Sequence, residues 1–198
     1  KMEIYNGEKW WEINATSPEE QTGGTRGVVG GDYAQPSPNE HINFFNLSTT
    51  GDAEDFGDLS VARASLSASS SRSRGVFLGG DTPSANPTID FITIATKGDA
   101  TDFGDCIHNG VYSATWSNGT RIVKAGGEAP APARTIVDME FITIASTGDG
   151  LDFGDMAQKK RRAMGIGSPI RMLICGGYSY PANFNIIEYV NFMSTGNA

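Results

Sequence analysis

Apolar and polar residues alternate over short segments that return at a nearly constant interval, and this pattern predicts strands rather than helices. Four apolar runs each open on an arginine: Arg26-Gly-Val-Val, Arg74-Gly-Val-Phe-Leu, Arg121-Ile-Val-Lys-Ala and Arg171-Met-Leu-Ile-Cys. Each closes on a glycine pair, at Gly30-Gly31, Gly79-Gly80, Gly126-Gly127 and Gly176-Gly177, spaced by 49, 47 and 50 residues. After a loop rich in Pro, Ser and Asn comes a second segment with the period of a half-buried strand: Ile42-Asn-Phe-Phe-Asn-Leu, Ile89-Asp-Phe-Ile-Thr-Ile, Met139-Glu-Phe-Ile-Thr-Ile and Ile187-Glu-Tyr-Val-Asn-Phe. Each then reaches a Thr-rich turn at Gly51, Gly98, Gly148 or Gly196.

The first three turns continue into Gly-Asp-x-x-Asp-Phe-Gly-Asp, from Gly51 to Asp58, Gly98 to Asp105 and Gly148 to Asp155. A short stretch such as Leu59 to Arg63 follows, then a small-residue strand, as at Ser65 to Ser69, Val111 to Trp116 and Ala163 to Gly167. Asn118-Gly119 carries the signature of a type I′ hairpin before the next arginine strand. The unit is three or four antiparallel strands in about 48 residues. A sheet that small cannot bury both faces alone, so neighbouring units are expected to stack.

Composition agrees with short strands and tight turns: 25 glycines and 19% charged residues in 198. The net charge of −8 leaves no basic field for phosphate backbones, so nucleic acid is not expected as a partner. No apolar run approaches the roughly 18 residues that span a bilayer, so membrane insertion is not expected either. Lys1 opens no signal-peptide pattern and is not an initiator Met, so a processed chain or a fragment is expected. Cys106 and Cys175 fall at different points of the repeat and read as free thiols.

Several features invite a chemical reading. The aspartates recur three apart, as Asp52, Asp55, Asp58; Asp99, Asp102, Asp105; and Asp149, Asp152, Asp155. Oxygen-rich loops of this kind are weak Ca²⁺ candidates. The competing role is capping of turns through backbone N–H groups, with Phe56, Phe103 and Phe153 packed between units. Because the spacing recurs in each copy, the turn role is preferred and no metal is expected. Arg26, Arg74, Arg121 and Arg171 suit a ring around a central channel facing the aspartates, held by ion pairs or backbone hydrogen bonds. Lys159-Lys-Arg-Arg162 is the one dense basic run and is expected on a solvated strand or turn. His41 and His108 occupy unrelated repeat positions. No nucleophile with its base, phosphate-cradling loop or zinc spacing can be assembled, so no enzyme activity and no cofactor are expected.

The copies differ most after the glycine pairs, at Asp32 to Glu40, Asp81 to Thr88, Glu128 to Thr135 and Tyr178 to Asn185. A rigid repeated scaffold with variable loops is a common recognition arrangement. Tyr33, Tyr178, Tyr180 and Phe184 are candidate stacking groups for sugar rings, against the alternative that these are ordinary blade connections.

An apolar strand ending in Gly-Gly, an alternating strand and an aromatic-containing turn before the next arginine resemble a kelch β-propeller blade. The likeness covers residues 26 to 196. Phe56, Phe103 and Phe153 stand where that pattern has Trp, and the turn arginine is matched by Arg63 and Lys160 but by Gly110 in the middle copy. Strings such as Arg74-Gly-Val-Phe-Leu-Gly-Gly, Ile89-Asp-Phe-Ile-Thr-Ile-Ala-Thr and Gly98-Asp-Ala-Thr-Asp-Phe-Gly-Asp also resemble repeat virion proteins of tailed marine bacteriophages, of tail-fibre or structural type. Lys1 to Ile13 is similar to a segment of phage fibre proteins. The resemblance implies an all-β, kelch-like β-propeller of about four small antiparallel blades, with residues 1–25 as an N-terminal strand segment and 26–198 as the repeat domain. The fourth copy stops before its aspartate box, so Met2 to Ile13 is expected to complete it, in the same chain or a neighbouring one. The implied role is a tail-fibre or receptor-binding protein on the virion surface. Its implied partners are other virion subunits, as a homo-oligomer, and a host surface glycan or protein. The alternative is a self-assembling decoration or filament subunit linked by strand exchange.

Overall fold

The structure is a computed structural model that describes residues 24–33, 36–82, 84–130 and 134–198, with the backbone alone of 2–5 and 10–13. Every regular element among the described residues is a β-strand. The chain begins with β1 (Met2–Tyr5) and β2 (Trp10–Ile13), which pair with each other. The first repeat sheet then holds β3 (Arg26–Asp32), β4 (Asn39–Asn46) and β5 (Glu54–Asp58). The second holds β6 (Ser67–Ser70), β7 (Arg74–Leu78), β8 (Thr88–Thr93) and β9 (Thr101–Asp105). Next come β10 (Ala114–Ser117), β11 (Arg121–Ala125), the small hairpin of β12 (Glu128–Ala129) and β13 (Arg134–Thr135), β14 (Asp138–Thr143) and β15 (Leu151–Asp155). Strands β10, β11, β14 and β15 form the third sheet. The fourth joins β16 (Met164–Gly167), β17 (Arg171–Cys175) and β20 (Ile187–Asn191), with the hairpin of β18 (Tyr178–Ser179) and β19 (Ala182–Asn183) between them. Each sheet is an antiparallel meander.

Three sequence expectations change. The last five residues of each aspartate box are not turns but the outer strands β5, β9 and β15, and only the leading three stay outside a strand. Glycine and aspartate disfavour strands on propensity alone, but a register shift beside each box, as between Ile89 and Asp90, absorbs an extra residue as a bulge. Within this chain the segment expected to close the fourth unit pairs with itself, and among the described residues the fourth sheet has three strands. Asn118 is absent from the positive-φ residues, so its turn with Gly119 (φ +88°) is not type I′. Asn118 Oδ1 instead accepts the N–H groups of Thr120 and Arg121, at 2.9 and 2.7 Å. Ser71 and Ser168 cap the equivalent turns through their hydroxyls.

Stacking buries what each sheet cannot. The face of the first sheet carrying Ile42, Phe44 and Phe56 packs on Phe77 and Ile92 of the second. The second presents Val76, Leu78, Ile89 and Phe103 to Ile122, Ile142 and Ile144. The third presents Val123, Met139, Phe141 and Phe153 to Met172, Ile174, Val190 and Phe192. Full burial of each such side chain contributes about 1.5–3 kcal/mol, before the entropy of ordering it is set against it. The box phenylalanines therefore do pack between copies. Each meets its own sheet's aromatic edge to face at 6.0 Å: Phe56 on Phe44, Phe103 on Phe91, Phe153 on Phe141.

Polar contacts fix the direction of the stack. Gly98 N–H donates to Phe56 O (2.9 Å), Asp99 Oδ1 accepts Asp58 N–H (3.1 Å), and Ala100 N–H donates to Asp58 O (2.7 Å). The same clasp joins Gly148, Asp149 and Gly150 to β9, and Gly196, Asn197 and Ala198 to β15. Close approach explains the glycine of each box. A Cβ on Gly104, at φ +143°, would sit 2.6 Å from the Gly148 carbonyl. Among the described residues, no hydrogen bond joins the fourth sheet to the first.

Candidate functional site

The glycine pairs create the rim that carries the variable loops. Gly79 and Gly80 adopt φ of +63° and +122°, and a Cβ on either would meet the backbone carbonyl of Gly110 or Ala64 within 3 Å. The chain turns there and lies along the linker that precedes its own sheet. Asp81 bridges Ala64, Glu128 bridges Val111 and Tyr178 bridges Arg161. Equivalent loops therefore lie side by side, and Thr135 Oγ1 meets Ser179 Oγ at 3.1 Å across the third and fourth.

The candidate stacking residues separate within this rim. Tyr180 and Tyr33 are exposed, but they belong to the fourth and first copies, with two copies between them. Tyr178 is half-buried under the Arg161 guanidinium, 5.4 Å from its ring centre, and Phe184 is also half-buried. Tyr178 thus has a packing role, while Tyr180 offers a free ring beside it.

Among the described residues, none of the recurring arginines forms an ion pair with an aspartate box. Arg26, Arg74 and Arg121 lie over Phe44, Phe91 and Phe141 of their own sheets, at 5.1, 4.6 and 4.8 Å. Each donates to a backbone carbonyl of the next copy: Ile94 (2.8 Å), Ile144 (2.8 Å) and Phe192 (3.1 Å). Arg171 lies over Tyr189 (5.0 Å) and donates to Asn191 Oδ1 (3.3 Å) within its own sheet.

The basic run is not a single solvated patch. Lys160 is buried, 2.5 Å from Glu188 Oε2; Arg161 pairs with Glu128; and Arg162 covers the Tyr112 ring at 4.6 Å. Three of its four cations thus point at different partners.

Sequence reading missed a buried ion pair in each of three sheets. Arg63 meets Asp90 at 2.9 Å with both side chains fully buried, and also donates to Thr88 O at 3.0 Å. Burial holds its guanidinium below the usual range, against the pull of Asp90. Lys160 and Glu188 repeat the pair in the fourth sheet. In the third, Gly110 stands at the Arg63 position, and Lys124 of β11 reaches Glu140 Oε1 at 2.5 Å. A readable signal existed: the middle copy has glycine where the others have a cation, and lysine where they have Phe77 and Ile174.

Of the aspartates weighed for calcium, Asp99 and Asp149 serve the clasp, while Asp102 and Asp58 make contacts within their own sheets. Asp102 Oδ1 accepts Gly104 N–H at 3.3 Å, and Asp58 meets His41 Nδ1 at 3.1 Å. Among the described residues, no group of three or more His, Cys, Asp or Glu is placed to hold a metal ion. Both cysteines are free. Burial pushes the Cys106 thiol up to about 12, so it stays protonated and is a poor nucleophile. No helix among the described residues is long and apolar enough to cross a membrane. Comparison with protein families and with curated proteins found no match to this chain.

Proposed function

We propose that this chain is a structural protein of a tailed-bacteriophage particle, of tail-fibre or receptor-binding type, in which a stacked β-repeat scaffold presents loops to a host surface glycan or protein. The reading rests on the sequence likeness to virion repeat proteins. One structural observation supports it: three successive interfaces repeat the same clasp and arginine contact, while the loops on one rim differ in every copy. A constant interior with a variable rim suits recognition rather than turnover. Face-to-face meanders also suit kelch-like blades, and class averages from electron microscopy would show whether they close into a propeller.

The binding test is direct. Binding to host cells or to a glycan array is expected to fall at least tenfold in Tyr180→Ala, with unchanged melting. Absence of binding to any host surface glycan or protein by the intact chain would overturn the recognition role.

A further inference from the structure

We infer that two copies of this chain dock head to tail, the outer face of the fourth sheet of one on the outer face of the first sheet of the next. Both halves of an interface that already recurs inside the molecule stand at its two ends. On the fourth sheet, Ile187 and Tyr189 are 68% and 53% exposed, whereas the equivalents of the first, Ile42, Ile89 and Met139, are buried against the following copy, and those of the second, Phe44, Phe91 and Phe141, are buried or, for Phe91, partly buried there. Met164 and Ile166 extend the same exposed apolar face. On the first sheet, Phe45 and Leu47 are 38% and 69% exposed, whereas Ile142, Ile144, Val190 and Phe192 at those positions are buried against the preceding copy.

The polar contacts are equally complementary. Arg171 lacks the inter-copy carbonyl that Arg26, Arg74 and Arg121 each bind. The carbonyl in register with Ile94, Ile144 and Phe192 is that of Leu47, on the opposite end of the stack. Docking a second copy with the internal geometry brings Arg171 to it. Among the described residues the fourth sheet has three strands, so the glycine–aspartate clasp finds no strand to hold there. The docked interface is therefore weaker than the internal ones. It is heterologous, joining two different faces.

Sedimentation of the full chain tests this. Average mass is expected to rise with concentration across the micromolar range. Phe45→Asp blocks one face and Tyr189→Asp the other, so each variant alone is expected to be a monomer. Their equimolar mixture is expected to give a one-to-one dimer, because one intact face of each kind remains. Arg171→Met is expected to weaken self-association about tenfold, the loss of one charged hydrogen bond. Should either aspartate variant melt early, Leu47→Asp and Ile187→Asp address the same faces. A wild-type chain that stays monomeric throughout overturns the docking. So does a folded single variant that still dimerises, or a mixture that does not. Tyr180→Ala leaves both faces intact, so loss of loop binding and loss of docking are separate results.

Discussion

Lys124 Nζ lies 2.5 Å from Glu140 Oε1, in the space that Gly110 vacates, having reached the carboxylate from β11 rather than from the linker. Glu140 also accepts Ile107 N–H, and Lys124 also donates to His108 O, so both charges are anchored. Removing one partner strands the other in the core. Lys124→Met is expected to cost about 3–5 kcal/mol in urea unfolding. The double change Gly110→Lys with Lys124→Ile rebuilds the arrangement of the fourth sheet and is expected to recover most of that loss. A cost below about 1 kcal/mol for the single change would show that Glu140 does not depend on this lysine.

Two glycines separate close approach from mere turn composition. Gly104→Ala places a methyl 2.6 Å from the Gly148 carbonyl at a φ that side chains avoid, while Gly51→Ala meets nothing within 4 Å. Thermal unfolding is expected to show a loss of more than about 2 kcal/mol for the first. The second is expected to stay within about 0.5 kcal/mol of the parent.

The arginine contacts predict a gradient along the stack. Arg74→Met removes a charged hydrogen bond to the next copy and a cation held over Phe91. Its expected cost is about 2 kcal/mol. Arg171→Met removes an exposed contact within one sheet, and at low concentration its melting is expected to match the parent.

His41 offers a pH readout. The hydrogen bond to Asp58 raises its pKa above 6.5, with further help from Glu40 and Asp55. The pair stabilises the fold while His41 is charged, so its contribution is complete below the unfolded pKa and fades as pH rises through the folded one. NMR titration is expected to place the His41 midpoint above 6.5 and to return it toward that value in Asp58→Asn. An unchanged midpoint in that variant would remove the pairing as the cause.

The thiols differ in the same molecule. Cys106, with its thiol pushed up to about 12, is expected to resist iodoacetamide until the protein unfolds. Cys175 lies partly exposed beside Ile187 and is expected to label first. Mass spectrometry of partly labelled protein distinguishes the two sites.

The strands and their stacking were readable because alternation at Ile89 to Ile94 and its equivalents reports two faces of unequal burial. The aspartate boxes were not, because local composition cannot register the next copy's backbone lying against Gly57, Gly104 and Gly154. Lys124 escaped for a related reason. A lysine within a strand normally reaches water, and only the loss of the cation at Gly110 gives it an inward destination. For the loops, sequence located the rim but not the division of labour between Tyr178, held under Arg161, and the free Tyr180.

The clasp runs one way, with Gly98, Gly148 and Gly196 each closing on the box of the copy before. On a ribosome, each finished sheet therefore waits for the next to emerge before its apolar face is covered. At ordinary elongation rates that wait is roughly 2–10 s per copy. Apart from the outer face of the first sheet, which keeps Phe45 and Leu47 open throughout, the nascent chain uncovers one apolar face at a time at its growing end, and that hazard moves outward instead of accumulating.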